Sequence, residues 1–184
     1  SGVAAESGPE REFSPQAQYP GKVSFVGWFP VRTDPACTVD FTDLAGLSPD
    51  STYYLRTAID IARDGDYVLL FGKSGAADLI VDRVRVFQAR SSAGFSHDQY
   101  AVRMFLERGT HTLLVKMNTN ARGDARFSIR ITDGQGNPAS FSVVPDSPDH
   151  SARNRARLQS AGYFPSLDAL LRERKTHGGR NAFL

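Results

Sequence analysis

Apolar and polar residues alternate along three stretches of the chain, and this alternation is the clearest structural signal in the sequence. Tyr53–Ile61, Tyr100–Leu106 and Phe127–Ile131 each place mainly apolar side chains at every second position. Successive side chains of a β-strand point to opposite faces, so a period of two predicts half-buried strands rather than helices. The segment Arg63–Asp66 follows the first of these strands, and its Asp-Gly pair is typical of a hairpin turn.

Short strands separated by turn residues continue from Tyr19 to Val144, and no helical pattern alternates with them. This arrangement predicts an all-β domain, an antiparallel β-sandwich of the jelly-roll-like kind. An early strand is expected at Lys22–Phe29, where Trp28 either anchors the core or offers a stacking platform for a sugar. The predicted core contains Leu55, Ile59, Leu69, Val102, Leu114, Ile129 and Ile131.

The two ends of the chain differ in character from its strand-rich centre and predict three parts. Residues 1–18 contain few apolar side chains and predict a flexible lead-in, whereas residues 19–145 form the sandwich. Residues 146–184 predict a linker and an amphipathic helical tail, because Ser166 precedes leucines at i, i+3 and i+4 spacing. The expected partner-binding stripe of this helix is Leu167, Leu170 and Leu171.

Composition narrows the classes of partner. Among 184 residues, 22 Lys and Arg against 20 Asp and Glu give a net charge of +2, so the sequence predicts no nucleic-acid binding. No apolar run approaches the ~20 residues that span a bilayer, so direct membrane insertion is not expected. The single cysteine, Cys37, allows no disulfide within the chain.

The sequence carries no motif of a known catalytic or metal centre. A nucleophile elbow, a His-Glu-x-x-His helix and a phosphate-binding Gly-rich loop are all missing. The four histidines show no spacing typical of metal ligands. We therefore expect a protein that is not an enzyme and needs no metal or cofactor.

Several segments resemble a known sandwich module. They are an aromatic strand (Tyr53–Thr57), a second strand (Tyr67–Gly72), the loop before Tyr100, the Leu-Leu-Val-Lys strand (Leu113–Lys116) and a closing Asp-x-x-Gly (Asp133–Gly136). This pattern is similar to the sugar-binding domain of glycoside hydrolases and to the protective-antigen type of sandwich. The resemblance implies one module of a larger bacterial envelope or secreted protein, located in the periplasm or outside the cell.

The chain departs from that family where ligands usually bind. Sugar-binding members carry paired Asp before Gly at the first turn, whereas this chain has Lys73–Gly75. Where the family has Asn-Gly in its hairpin, this chain has Asp82-Arg83. Calcium and bridged sugar hydroxyls both need several converging oxygens, and only Asp78 and Asp82 remain nearby.

Two hypotheses for a binding function follow, and a small enzyme is a third hypothesis that the sequence does not favour, because it offers no convergent set of ionisable groups. The first is a non-catalytic recognition or scaffolding module that binds a protein partner, other domains of its own polypeptide, or another anionic partner. The alternative is a functional carbohydrate-binding module. In both cases the loops 73–78, 82–83 and 89–98 are expected to form one binding end of the sandwich, since loops on a rigid scaffold are free to contact ligands. The candidate binding residues are Lys73, Asp78, Asp82, Arg83, Arg85, His97 and Asp98.

Overall fold

The structure is a computed structural model that describes residues 8–11, 13–21, 24–42, 51–119, 124–146 and 163–165. These residues form antiparallel strands and one helical turn, α1 (Gly8–Arg11). The strands are β1 (Gln18–Pro20), β2 (Phe25–Gly27), β3 (Thr38–Asp40), β4 (Thr52–Ile61), β5 (Gly65–Lys73), β6 (Gly75–Val81), β7 (Val84–Ala93), β8 (Tyr100–Leu106), β9 (Gly109–Asn118), β10 (Arg126–Asp133), β11 (Phe141–Val144) and β12 (Tyr163–Pro165).

The strands assemble into two five-stranded sheets and a separate hairpin. Sheet I has the order β12-β8-β5-β10-β3, sheet II has the order β11-β4-β9-β6-β7, and β1 pairs with β2. Each of these strand pairs is antiparallel. The predicted all-β, antiparallel architecture is therefore confirmed.

The two sheets share one apolar core, and the alternation along each strand decides which side chains enter it. Ile59 of β4, Leu69 of β5 and Val102 of β8 are buried there. The ring of Phe71 in sheet I meets that of Phe87 in sheet II edge to face, with centroids 4.7 Å apart. The sheets thus pack face to face in a sandwich-like fold.

The other predicted core residues do not all share this environment. Ile131 is buried in the core, and the half-buried Leu55 and Ile129 pack against it. Leu114 is also buried, but it stands between two inward-pointing residues of β9 and is not part of this core. Its side chain lies on the opposite, outer face of sheet II, because neighbouring strand residues point to opposite faces.

The start of the chain differs from the predicted flexible lead-in. The residues 8–11, 13–21 and 24–29, which we call the N-terminal arm, contain α1 and the β1–β2 hairpin. Trp28 packs edge to face on Phe13 and Tyr19 of the arm, at centroid distances of 5.4 and 6.5 Å. Trp28 therefore organises the arm, and the described part of the expected strand Lys22–Phe29 contains a strand at Phe25–Gly27.

Some residues beyond the predicted boundary at residue 145 contact the sandwich. Asp146, assigned to the linker, forms an ion pair with Arg56 of β4 at 2.5 Å. Farther along the predicted tail, β12 pairs with β8 and forms an edge strand of sheet I. The expected helix with Leu167, Leu170 and Leu171 lies outside the described residues. In the part of the chain that the structure describes, no helix is long and apolar enough to cross a membrane.

Candidate functional site

The predicted binding residues do not converge on one end of the sandwich. Lys73 precedes β6 and the Asp82-Arg83 turn follows it, so about 20 Å of strand separates them. The segment with His97 and Asp98 lies at the Lys73 end, where the backbone N–H of Lys73 donates to the Gln99 side chain at 2.9 Å. The expectation of a single binding end is therefore wrong.

Lys73 is a core residue and not a loop residue. Only Ser74 separates β5 from β6, so Lys73 keeps the inward direction of Phe71 and Leu69, which lie two and four positions earlier. Its buried Nζ donates to the carbonyl of Gly75 at 2.5 Å and lies 5.3 Å from the ring centre of Tyr100. Burial lowers the pKa of Lys73 to about 8, because a charged amine is poorly solvated in the core.

The segment with His97 and Asp98 is held against the outer face of sheet I. Arg130 of β10 binds the Asp98 carboxylate at 2.6–3.0 Å. Below the segment lies Gly72, where an added Cβ would stand 2.0 Å from the carbonyl oxygen of Ser96. The His97 ring instead contacts Phe95, at 5.0 Å, so the adjacent His97 and Asp98 side chains have different partners.

The Asp82-Arg83 turn is the tight hairpin that the sequence predicts. Both residues have positive φ, 46° and 68°, as the mirror-image turns of hairpins require. Arg83 is exposed, but Asp82 is buried and contacts Nδ1 of His111 at 2.6 Å. It also accepts the backbone N–H of Thr112 at 2.8 Å. Asp82 thus fastens the turn to β9 and offers no free carboxylate to a ligand.

His111 is fully engaged inside the protein. Its Nε2 lies 2.7 Å from the carbonyl oxygen of Glu107, which can only accept a hydrogen bond. Burial by itself would lower the pKa of His111, but the hydrogen bonds to Asp82 and Glu107 outweigh this effect and raise it. With a partner at each ring nitrogen, the histidine links three segments of the chain.

The outer face of sheet II brings together the remaining candidates. Strand register forms a row of Tyr54, Lys116 and Asp78, because directly opposed residues of antiparallel strands share a face. Arg85 of β7 lies 3.2 Å from the Asp78 carboxylate, and Arg90 lies 3.6 Å from it. Asp78 and Arg85, two of the candidate binding residues, are therefore in contact, but Asp78 is buried and the arginines are the groups that solvent meets.

Burial raises the pKa of Asp78 more than its neighbouring groups lower it. Burial raises the pKa of the Asp78 carboxyl, and the nearby Arg90 and Arg85 guanidinium groups partly oppose that rise. Lys116 also lowers it, from the neighbouring strand of the same row. Asp78 is consequently a buried anchor for cationic side chains.

The N-terminal arm covers the part of this face formed by β4 and β9. Glu10 of α1 accepts from Nζ of Lys116 at 2.6 Å and from the hydroxyl of Tyr54 at 3.0 Å. In the next row, the Arg56 guanidinium lies 4.1 Å from the ring centre of Phe13. The arm therefore places a carboxylate and an aromatic ring on two adjacent rows of the sheet.

A narrow cleft remains between the arm and the sheet. Its free volume is about 20 Å³, enough for about one water molecule. Leu114 and Ile80 form part of its floor, which explains the burial of Leu114 outside the core. Arg83 reaches the rim of this cleft, so the turn residue belongs to the outer face of sheet II.

The residues that organise this face are not among those predicted from the sequence. Glu10 and Phe13 lie in a stretch too polar to predict structure, and their contacts on β4 and β9 are remote in sequence. One signal was present: Lys116 interrupts an apolar strand, and a long cationic side chain at such a position requires a partner.

Within the described segments, no group of three His, Cys, Asp or Glu residues is arranged to hold a metal ion. Comparison of the sequence with protein families and with curated proteins finds no match.

Proposed function

We propose that the chain is a non-catalytic recognition module that binds an acidic protein segment on the outer face of sheet II. The observation that carries this proposal is a group of three exposed arginines on edge strand β7 and in the turn that precedes it. Arg83, Arg85 and Arg90 are exposed, whereas Asp78, which two of them contact, is fully buried. A partner approaching this edge meets guanidinium groups and no accessible carboxylate from Asp78.

The chemistry of arginine favours a carboxylate-bearing partner. A guanidinium presents several N–H donors in one plane and binds carboxylates through paired hydrogen bonds. Asp78 already orients Arg85 and Arg90 from one side, and their side chains are still 40% and 45% exposed. The outward part of each group is thus held ready for a second carboxylate.

The buried ionisable groups support a non-catalytic role. The two ring nitrogens of His111 contact Asp82 and a backbone carbonyl, and Nζ of Lys73 donates to Gly75 inside the core. A catalytic acid or base must reach a substrate in a pocket. Neither residue lines the cleft on sheet II.

The strand order supports a more specific fold assignment. Strands β3-β10-β5-β8 stand in one sheet and β4-β9-β6-β7 in the other, which is the alternating order of a jelly roll built from two Greek keys. We include in the proposal that this jelly roll is one module of a larger envelope protein. The amphipathic C-terminal helix remains part of that proposal.

Binding of a fluorescent hexaglutamate peptide, measured by anisotropy, tests the function. We compare the wild-type chain with Arg83→Gln/Arg90→Gln, which leaves Arg85 beside the buried Asp78. Arg103→Gln/Arg130→Gln is the matched control, because it removes the same charge from exposed arginines that lie on sheet I. The first variant is expected to weaken binding about fivefold or more, and the control less than about twofold.

Two results would contradict the proposal. Equal weakening by both variants would mean that the peptide responds only to net charge. Calcium-dependent binding of neutral oligosaccharides, without binding of hexaglutamate, would favour the carbohydrate-binding alternative.

A further inference from the structure

We propose that the N-terminal arm is an internal ligand, occupying a site on sheet II that also accepts a peptide segment of another protein. The segment is one with a carboxylate three residues before an aromatic side chain, as in Glu10 and Phe13. This inference rests on the proposed function and adds the form of the partner and the competition that limits its access.

The carboxylate subsite is built from buried sheet residues. The side chain of Lys116 is 1% exposed, that of Glu10 is 7% exposed, and Nζ to Oε1 measures 2.6 Å. The Tyr54 hydroxyl donates to the same oxygen at 3.0 Å, so two donors from adjacent strands converge on one acceptor. Such convergence favours a carboxylate, because a neutral side chain would remove the counter-charge that directly contacts the buried ammonium.

The aromatic subsite lies in the neighbouring row. The Arg56 guanidinium is 4.1 Å from the centre of the Phe13 ring, close enough for a cation–π contact. Asp146 fixes the same guanidinium from the chain that follows β11, at 2.5 Å. Tyr54 and Arg56 are two residues apart on β4, about 7 Å, and their partners Glu10 and Phe13 reach the same two rows.

The arm is attached in a way that permits its release. In the described part of the chain, β1 pairs with β2 and with no strand of sheets I or II. The contacts of Glu10 and Phe13 with the sheet are made through side chains. The connection from the arm to β3, residues 30–36, is exposed throughout. Release therefore breaks side-chain contacts on sheet II and leaves the strand ladders intact.

Charge complementarity indicates that the segment replacing the arm on sheet II is acidic. On the outer face, Arg56 and Lys116 each receive a carboxylate from a segment outside the sheet, namely Asp146 and Glu10. The exposed Arg83, Arg85 and Arg90 extend the positive surface beyond the arm. An acidic segment of another protein can thus replace the arm at Lys116 and continue along these arginines.

A labelled peptide of residues 6–17 provides the probe, with its Glu10→Gln/Phe13→Ala form as the peptide control. The proteins compared are the full wild-type chain and the full chain carrying Glu10→Gln/Phe13→Ala. In the wild type the bound arm lowers the fraction of open sites, whereas the altered arm of the variant leaves the site open. The variant is therefore expected to bind the peptide about tenfold more tightly than the wild type. The control peptide is expected to bind neither protein.

A folded variant that binds the peptide no better than wild type would overturn the inference. If the double variant does not fold, Phe13→Ala alone replaces it. This variant must then bind the peptide more tightly than the wild type, by a smaller factor than the double variant. If the inference fails in this way but hexaglutamate still binds the protein, the proposed function stands. A concentration-dependent dimer of the wild-type chain that the peptide dissociates would assign the occupant to a second copy, contrary to the partner proposed.

Discussion

Nζ of Lys116 lies 2.6 Å from Oε1 of Glu10, although the two residues are 106 positions apart in the chain. This buried ion pair joins the N-terminal arm to the centre of sheet II. It also decides what can cover that face, because a buried ammonium without a carboxylate is strongly unfavourable.

Replacing Glu10 by Gln is expected to cost about 1–3 kcal/mol of stability, less than the 3–5 kcal/mol typical of breaking an enclosed ion pair. The cost is limited because the arm can lift and let water reach Lys116. Urea unfolding of Glu10→Gln, Lys116→Met and the double variant measures it, and the double variant is expected to recover most of the loss. A cost above 4 kcal/mol would indicate an arm that cannot detach.

The sequence predicted the strands better than it predicted the site. Alternation along Tyr53–Ile61 located β4 correctly, because one face of that strand packs in the core while the other is more polar. The same rule failed for Leu114, since β9 is covered on both faces and its apolar run hides which side chains face the core. The missing information was the arm, whose contacts are long-range.

Lys73 shows a second limit of sequence reasoning. Lys-Ser-Gly has the composition of a turn, yet a single residue connects β5 to β6 and the lysine remains in the strand pattern. Burial of a lysine is rare enough that its position in the core could not be expected from composition.

Lys73→Met is expected to stabilise the protein by about 1–3 kcal/mol at pH 7, because the folded pKa of about 8 lies below the ordinary value of 10.5. Between these values the unfolded chain binds more protons, so the stability of the wild type rises with pH. The advantage of the methionine variant should therefore shrink from pH 8 to 10.5. Thermal unfolding over this range measures it, and a constant advantage would contradict the burial of a charged amine.

The Asp82–His111 pair predicts a pH dependence that begins near neutrality. Its hydrogen bonds raise the folded pKa of His111 above the unfolded value of about 6.5. The pair's contribution is thus complete below about pH 6.5 and is lost as pH rises through the folded pKa. The Tm difference between wild type and Asp82→Asn is expected to fall with rising pH. A difference that grows with pH would show that His111 is neutral in the folded state.

Gly72→Ala is expected to destabilise the protein by about 1–3 kcal/mol and to release the segment that contains Asp98, since its Cβ would overlap the Ser96 carbonyl. Limited proteolysis should then cut within residues 94–99. Gly94→Ala is the matched control, because an added Cβ there meets nothing within 4 Å. Equal effects of the two substitutions would contradict the close approach of this segment to β5.

Recognition of an acidic protein segment by the outer face of sheet II is the proposed function. An NMR titration of the ¹⁵N-labelled chain with hexaglutamate tests it most directly, because each backbone amide reports its own surroundings. We predict saturable shifts concentrated in β6, β7 and the Asp82-Arg83 turn, which disappear in 0.5 M salt. Shifts confined to residues 94–99, or no saturable shifts at all, would contradict the account.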